Sequence, residues 1–253
     1  MCLYPNHDSV NQYTLPQKNQ LHGVIAPKEY LAMKIMAPIL FFLIIFNGCS
    51  DNAQNWVILF DGGSVDKWRG YKQGDFPFDG WAIEGGNLKT IVGGNRVDLI
   101  TKDIYDNFEL VLEWRVSPAG NSGIFYFATE ESDYIWQTAP EMQVLDDSEH
   151  PDGKIPVTSA GSLYDLISPM EKSLKPVGEF NESKIKVKSN KVEHWQNGKK
   201  ILSYEYGSNA INELIAKSKF KSMPLFAKAN SGHVGLQHHG EEVWYRNIRI
   251  RKL

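Results

Sequence analysis

The sequence lacks the features that mark disulfide-rich and nucleic-acid-binding proteins. Of its 253 residues only two are cysteine, Cys2 and Cys49, and both precede the segment that has a folded composition. An internal disulfide and a cysteine-ligated metal are therefore excluded from that segment. The formal net charge of -3 and the lack of a run of Lys and Arg exclude the basic surface on which nucleic-acid binding depends. Stability must come from the burial of side chains.

An apolar run near the amino terminus, in IMAPILFFLIIFNGCS, is too short to cross a bilayer stably. It extends for about a dozen residues behind Lys34, which is the length of a signal-peptide core. Pro38 and the lack of a polar face argue against a buried core helix. The run ends before Cys49 in a context that resembles a bacterial lipobox, from which Phe46 and Asn47 depart. The resemblance implies lipidation of Cys49.

The amino-terminal organisation predicts a lipoprotein of the cell envelope. A signal sequence normally starts the chain, so residues 1–49 are interpreted as a mis-called extension, with translation starting at Met33, followed by a lipoprotein signal peptide. Residues 50–55 would form a short polar tether, and Asp51 resembles part of the surface-export signal of Bacteroidetes lipoproteins. We therefore expect membrane attachment through the lipid anchor, in the periplasm or on the outer-membrane surface.

Residues 56–253 have the pattern of one domain built from short strands. The chain is 42% hydrophobic and 23% charged, with 12 Phe, 11 Tyr and 7 Trp, which is the composition of a folded globular protein. In FELVLEWRV, the apolar residues Phe108, Leu110 and Leu112 occupy every second position, and most of the positions between and after them are charged. This period of two is typical of a strand. The other strand-like stretches are WVILFDGG, WAIEGGNLKTI, GIFYFAT, EMQVLD, KIKVKSNKVEHWQNGKKILSYEY, GHVGLQHHG and EVWYRNIRIRKL.

Two local signals complete the prediction of an all-β fold. Asn197 and Gly198, between two strand-like halves, are typical of a tight hairpin turn. The one helix candidate covers residues 208–220, where Ile211, Leu214 and Ile215 fall on one face. Many short strands with one short helix predict a jelly-roll or lectin-like β-sandwich.

Six ordered motifs between residues 56 and 253 resemble those of the 3-keto-disaccharide hydrolase domain family. They are NSGIFYF, PEMQVLDD, HPDGKIPVTSAGSLYDLI, VEHWQNGKKI, GHVGLQHHG and VWYRNIRI. The resemblance implies a concanavalin-like β-sandwich and an envelope enzyme of carbohydrate catabolism whose oligosaccharide or glycoside substrates are already oxidised to the ketone at carbon 3. LQHHG departs from the expected pattern at His238, where Asp is more usual, and leaves His239 in register.

Strand alternation places a set of polar side chains on one face. In EMQVLD the apolar residues are expected to face the core, so Glu141 and Gln143 project together from the opposite face, and Asp146 joins them only across a kink or bulge. By the same argument Gln237 and His239 share the outward face of HVGLQHHG.

A third strand, KVEHWQNG, is predicted to add one more side chain to this polar face. Alternation puts His194 and Trp195 on opposite sides of the strand, and the nearby turn leaves open which of the two faces the site. The alternative is that His194 packs beside Trp195 and has no role in the site.

The spacing of the acidic residues differs from that of laminarinase-type glycosidases on this fold. Those enzymes use Glu-x-Asp-x-x-Glu, because retaining hydrolysis needs two carboxyl groups about 5–5.5 Å apart. Here the middle position is the amide Gln143 and the outer position is the shorter Asp146, which disfavours an unmodified two-carboxylate mechanism. A ketone at carbon 3 offers another route. It acidifies the hydrogen at carbon 2, so that a base can remove it, the glycosidic oxygen leaves by β-elimination, and water adds back.

This route needs a base, an acid for the leaving group and a group that stabilises the enolate. We predict Glu141 and His239 as the acid/base pair, with His194 assisting. A divalent metal held by His and carboxylate oxygens would also stabilise the enolate, but no spacing such as His-x-x-x-His requires one. The predicted substrate-binding residues are Asn121, Gln143, Gln237, Trp136, Trp195 and Asp146.

A non-catalytic, lectin-like carbohydrate-binding module on the same fold is the alternative function. Such a module needs stacking aromatic residues but no base. The polar residues Glu141, Gln143 and His239 favour the enzyme, because binding alone rarely needs a titratable pair. The sequence does not indicate the sugar, the linkage or the oligomeric state.

Overall fold

The computed structural model describes residues 55–253 of the chain. The predicted signal peptide, the lipidation site Cys49 and nearly all of the predicted tether lie outside these residues, so their assignments stay predictions. Within residues 55–253, none of the helices has the length and apolar character needed to cross a membrane.

Thirteen β-strands and one α-helix make up the described part of the chain. The strands are β1 (Val57–Phe60), β2 (Trp68–Gly70), β3 (Trp81–Glu84), β4 (Asn87–Thr90), β5 (Leu99–Thr101), β6 (Phe108–Val116), β7 (Asn121–Ala128), β8 (Glu141–Leu145), β9 (Asn181–Lys188), β10 (Lys191–Gln196), β11 (Lys199–Glu205), β12 (His233–Leu236) and β13 (Val243–Lys252). The helix is α1 (Asn209–Lys217), and short 3-10 helices lie at Ile135–Gln137, Pro151–Lys154, Pro156–Thr158 and Lys219–Ser222.

The strands form two antiparallel sheets around a shared hydrophobic core. The larger sheet has the order β11-β10-β9-β6-β13-β4-β3, with β1 also paired to β13, and the smaller has the order β2-β5-β12-β7-β8. Side chains of both sheets meet in one core cluster, where Leu110 and Trp114 of β6 join Met142 and Val144 of β8. The predicted all-β sandwich with one short helix is confirmed.

The local signals are also confirmed at the hairpin and the helix. Asn197 and Gly198 have φ of +47° and +80° between β10 and β11, as a tight turn with two left-handed residues requires. Helix α1 begins after Ser208, whose hydroxyl accepts a hydrogen bond from the Ile211 amide at 3.3 Å. It ends at Lys217, earlier than predicted, because the chain turns into the 3-10 helix that starts at Lys219.

The free edge of β8 determines where the long loop of residues 150–165 lies. In the smaller sheet β8 is the terminal strand, paired with β7 on one side. On its other side Gly161 donates to the Gln143 carbonyl at 2.8 Å, and Tyr164 donates to the Glu141 carbonyl at 3.0 Å. The loop is therefore hydrogen-bonded to the same strand that carries the predicted acid.

Candidate active site

A cavity of about 300 Å³ lies at the face of the smaller sheet that is turned away from the main core. It brings together Asn121 of β7, Glu141 and Gln143 of β8, and the residues that follow β12. The lining residues predicted from the sequence are Asn121, Trp136, Glu141, Gln143, Gln237 and His239. The lining residues that the sequence analysis did not single out are Asp152, Tyr164, Lys219 and Met223.

Glu141 lies over a glycine of the neighbouring strand. Gly123 is paired with Gln143 across β7 and β8, and the Glu141 side chain leans diagonally across it. A Cβ atom at position 123 would lie 1.9 Å from Oε1 of Glu141 and 2.7 Å from its Cγ. Gly123 lies inside β7, where the missing side chain makes room for the carboxyl group.

Burial changes the acid-base behaviour of Glu141. The residue is only 7% exposed, and removal from water raises the pKa of its carboxyl group to about 8. The positive charge of Lys219 acts in the opposite direction, while the negative charges of Asp98 and Asp152 raise the pKa further. The cavity therefore holds a carboxyl group that exchanges its proton near neutral pH, a property typical of catalytic acids and bases.

A chain of polar side chains leads to Glu141 from the long loop. Nδ1 of His150 accepts a hydrogen bond from the Asp152 amide at 3.1 Å, so in the neutral ring Nε2 carries the proton. Nε2 lies 3.3 Å from the Asn121 amide, and the amides of Asn121 and Gln143 lie 3.3 Å apart. With its nitrogen donating, Gln143 bonds to the Ser122 carbonyl at 2.8 Å and to Oε1 of Glu141 at 3.1 Å.

One arrangement of donors and acceptors satisfies every side chain in this series of hydrogen bonds. The proton on Nε2 of His150 requires the Asn121 oxygen as its acceptor, which turns the Asn121 nitrogen toward the Gln143 oxygen. The Gln143 nitrogen is then free to hold the Glu141 carboxyl group. Asn121 and Gln143 thereby fix the position of Glu141 as well as lining the cavity.

His239 faces the cavity from the segment after β12. Its Nδ1 lies 2.8 Å from Oε2 of Glu241, and this contact orients the ring. The backbone of the neighbouring Gln237 is fixed by the Ser122 hydroxyl, which donates to the Gln237 carbonyl at 2.6 Å. As expected from alternation, His238 points away from the cavity and is buried against Trp81.

The other lining residues come from a loop and from the end of the predicted helical segment. Tyr164 donates its hydroxyl proton to Oδ2 of Asp152 at 2.9 Å, and both belong to the loop that covers the edge of β8. Lys219 starts the 3-10 helix after α1. A loop of this length is typical of a functional segment, but its length does not identify individual residues.

The predicted role of His194 in the site is wrong, because its strand belongs to the other sheet. β10 pairs with β9 and β11 in the larger sheet, and His194 points from it into the core, where it is fully buried. Its Nε2 lies 3.1 Å from the Tyr126 hydroxyl and its Nδ1 lies 3.2 Å from the Gly161 carbonyl. Burial lowers the pKa of His194 to about 4, which keeps the ring neutral in the core.

Two predicted substrate-binding residues also lie away from the cavity lining. Trp195 is on the opposite side of β10 from His194, where the ammonium of Lys184 is 4.0 Å from the centre of its ring. Asp146 follows β8 and accepts hydrogen bonds from the backbone amides of Ala119 and Ser148, each at 2.8 Å. Asp146 therefore stabilises a turn and is not the second carboxylate of the cavity.

The donor set of the cavity does not fit a bound divalent cation. Among residues 55–253 no group of three or more His, Cys, Asp or Glu side chains is arranged to hold a metal ion. Glu141 is held by Gln143, and Asp152 accepts the proton of Tyr164. Both carboxyl groups of the cavity thus have partners within the protein.

Comparison with known proteins assigns the family. The model of a family described as the 3-keto-alpha-glucoside-1,2-lyase-like domain matches residues 55–251. The chain belongs to this family. A protein of Bacteroides thetaiotaomicron named 3-keto-disaccharide hydrolase is 37% identical over 232 residues, which cover 80% of each chain. The family resemblance predicted from the six motifs is confirmed.

Solved structures of related proteins share the fold of this chain. A candidate glycosyl hydrolase from Parabacteroides distasonis is 29% identical, with a TM-score of 0.72 over 78% of this chain and 94% of that one. A second from the same organism is 26% identical, with a TM-score of 0.64 over 79% of this chain and 100% of that one. The chain is an enzyme of the glycoside hydrolase type, and a non-catalytic module is not supported.

Proposed function

We propose that the protein cleaves glycosides that carry a ketone at carbon 3, by β-elimination followed by addition of water. The observation that carries the proposal is the buried carboxyl group of Glu141, which shares one cavity with His239 and whose pKa is raised to about 8. The family description and the name of the Bacteroides thetaiotaomicron relative support a 3-keto substrate.

In the first step the Glu141 carboxylate removes the hydrogen at carbon 2 as a proton. The electron pair of the broken C–H bond forms a double bond between carbons 2 and 3, and the electrons of the ketone move to its oxygen, which gives an enolate. A raised pKa makes Glu141 a stronger base than an ordinary carboxylate, while part of it remains ionised near neutral pH. The Gln143 amide holds the carboxyl group in place during the transfer.

In the second step the enolate expels the glycosidic oxygen. The ketone re-forms, a double bond forms between carbons 1 and 2, the bond from carbon 1 to oxygen breaks, and the leaving oxygen takes a proton from His239. The contact between Nδ1 and Glu241 orients the His239 ring for this transfer. Water then adds its hydroxyl to carbon 1 and gives its proton to His239, while Glu141 protonates carbon 2, so both residues regain their starting state and the net reaction is hydrolysis.

Ordinary hydrolysis by two carboxyl groups is the second candidate function. Asp152 lines the same cavity as Glu141, and a carboxyl group with a pKa of about 8 is largely protonated at neutral pH, as a general acid must be. In that case Glu141 would protonate the leaving oxygen of an unoxidised glycoside and Asp152 would activate water.

The deciding experiment compares a chromogenic 3-keto-glucoside with its unoxidised parent in heavy water. We expect release from the keto substrate alone and deuterium at carbon 2 of the released sugar, beyond the exchange of that sugar incubated without enzyme. Glu141→Gln should abolish release, while Glu213→Gln on the exposed face of α1 serves as the matched control. Release from the parent, lost in Asp152→Asn, would instead establish the two-carboxylate mechanism.

We also propose that the enzyme is a lipoprotein anchored through Cys49. The sequence of residues 33–49 supports this location. Expression of the full chain with radiolabelled palmitate should label the wild type and leave Cys49→Ser unlabelled and released from the membrane fraction. A mature protein that still contains residues 1–32 would contradict both the predicted start at Met33 and the anchor.

A further inference from the structure

Lys219 is the one lysine or arginine among the described residues that line the cavity. Its ammonium group lies 4.2 Å from the centre of the Tyr164 ring and 5.7 Å from that of Trp136. None of the ion pairs formed within residues 55–253 involves Lys219. Its N–H donors are therefore available to a substrate.

The position of this ammonium group is tied to that of Glu141 through the backbone. The Lys219 amide donates to Oδ2 of Asp165 at 3.0 Å, and the adjacent Tyr164 amide donates to the Glu141 carbonyl at 3.0 Å. The aromatic ring over which the ammonium group lies is that same Tyr164. The backbones of Lys219 and Glu141 are thus connected through one short segment, Tyr164 and Asp165.

Several neutral donors of the cavity are already committed. The hydroxyl proton of Tyr164 is given to Asp152. The Gln143 side-chain nitrogen donates to the Ser122 carbonyl and to Oε1 of Glu141. The Asn121 side-chain amide lies between His150 and Gln143. Lys219 remains as a cationic donor with no partner of its own among the described residues.

We propose that Lys219 is the catalytic residue that stabilises the enolate, by placing its ammonium group against the oxygen on carbon 3. The inference rests on the proposed elimination, because an unoxidised glycoside forms no enolate. As Glu141 takes the proton from carbon 2, the electron pair ends on that oxygen, and a nearby cation favours this charge separation. The Lys219 ammonium keeps all of its protons and acts by charge and hydrogen bonding.

The influence of Lys219 on Glu141 gives the proposal a second line of support. Its charge lowers the pKa of Glu141, against the larger effect of burial. The same charge therefore keeps part of the base ionised before the reaction and stabilises the product of proton transfer. Loss of this charge should slow catalysis and also move the pH at which Glu141 ionises.

The test uses Lys219→Met and Lys219→Arg, with Lys221→Met from the same 3-10 helix as the matched control. We expect kcat for the 3-keto-glucoside to fall about 100-fold or more in Lys219→Met, with a small change in KM, and to recover largely in Lys219→Arg. The midpoint of the rising limb of the pH profile should move to higher pH in Lys219→Met alone.

A second measurement isolates the enolisation step. A 3-keto sugar without a leaving group cannot undergo elimination, so the exchange of its carbon 2 hydrogen with heavy water reports proton removal alone. Exchange should slow in Lys219→Met by the same factor as kcat, while thermal unfolding and the Lys221→Met control stay unchanged. Addition of ethylamine should restore part of the lost rate to Lys219→Met.

The outcomes separate this inference from the proposed function. If the wild type processes the 3-keto-glucoside and Lys219→Met exchanges and turns over at the wild-type rate, the role of Lys219 is refuted and the elimination stands. If the wild type releases product from the parent glycoside alone, the proposed function fails first. A covalent adduct on Lys219 after borohydride reduction would show an imine and overturn the electrostatic role.

Discussion

Replacement of Gly123 by alanine tests the claim that the exact position of the Glu141 carboxyl group governs catalysis. The added Cβ would meet Oε1 of Glu141 at 1.9 Å, whereas an ordinary contact is at least 3.4 Å. The carboxyl oxygen must therefore retreat by about 1.5 Å, which is the difference between these two distances. The three atoms nearest to this Cβ all belong to the Glu141 side chain, which can rotate, so the strand itself need not move.

A displacement of this size is expected to lower kcat/KM about 100-fold, because misplacement of a reacting group by about 1 Å has that effect. The fold should persist, since alanine restricts the unfolded chain and gains about 0.4–1 kcal/mol where the backbone accommodates it. Steady-state kinetics on the 3-keto-glucoside and thermal unfolding measure the two effects. Gly74→Ala is the matched control, because a Cβ there meets nothing within 4 Å.

A double-mutant cycle with Glu141→Gln shows whether Gly123 acts through the carboxyl group. If it does, Gly123→Ala should have little further effect on the residual rate of Glu141→Gln, so the two changes are strongly non-additive. A folded Gly123→Ala protein with wild-type kcat/KM would refute the reasoning. Additive effects of the two changes would show that Gly123 matters for another reason.

Four further predictions concern proton transfer, the stability cost of the buried acid, the core histidine and sugar binding. The kcat/KM for the keto substrate should rise with pH toward about 8 as Glu141 ionises, and a profile without this rise would contradict its role as base. Burial raises the folded-state pKa of Glu141 from 4.5 to about 8, so its contribution to stability is present in acid and is lost as the pH rises from 4.5 to 8. The unfolding temperature of Glu141→Gln, relative to that of the wild type, should therefore rise across this pH range. His194→Ala should lower the unfolding free energy by about 2–4 kcal/mol in urea titrations and keep kcat/KM, whereas His239→Ala should lose activity and keep stability. Trp136→Ala should raise KM roughly tenfold through lost stacking, while Trp195→Ala on the other sheet should leave KM unchanged.

The sequence predicted the part of the site that depends on strand alternation. Glu141 and Gln143 share a face of β8, as expected from the buried Met142 and Val144 between and beside them. Alternation fixes the side of a strand on which a residue lies, but not the sheet to which the strand belongs. That is why His194 was assigned to the site although β10 lies in the larger sheet.

The rest of the site depends on contacts that local patterns do not encode. Strands β2 and β5 have three residues each, too few to show a period of two. Tyr164 and Asp152 reach the cavity because the loop crosses the edge of β8, and Lys219 reaches it because α1 ends at Lys217. Asp146 has the spacing of a catalytic acid, but two backbone amides already use its oxygens.

The loop bonded along β8 also has a consequence for the solubility of the protein. A terminal strand with free amides and carbonyls invites pairing with a second molecule, and such edges nucleate aggregation. Here Gly161 and Tyr164 occupy the positions that an invading strand would take beside Gln143 and Glu141. Proteolytic cleavage between residues 150 and 165 would then uncover the edge of the strand that carries the base, so loss of turnover and the onset of self-association should occur together.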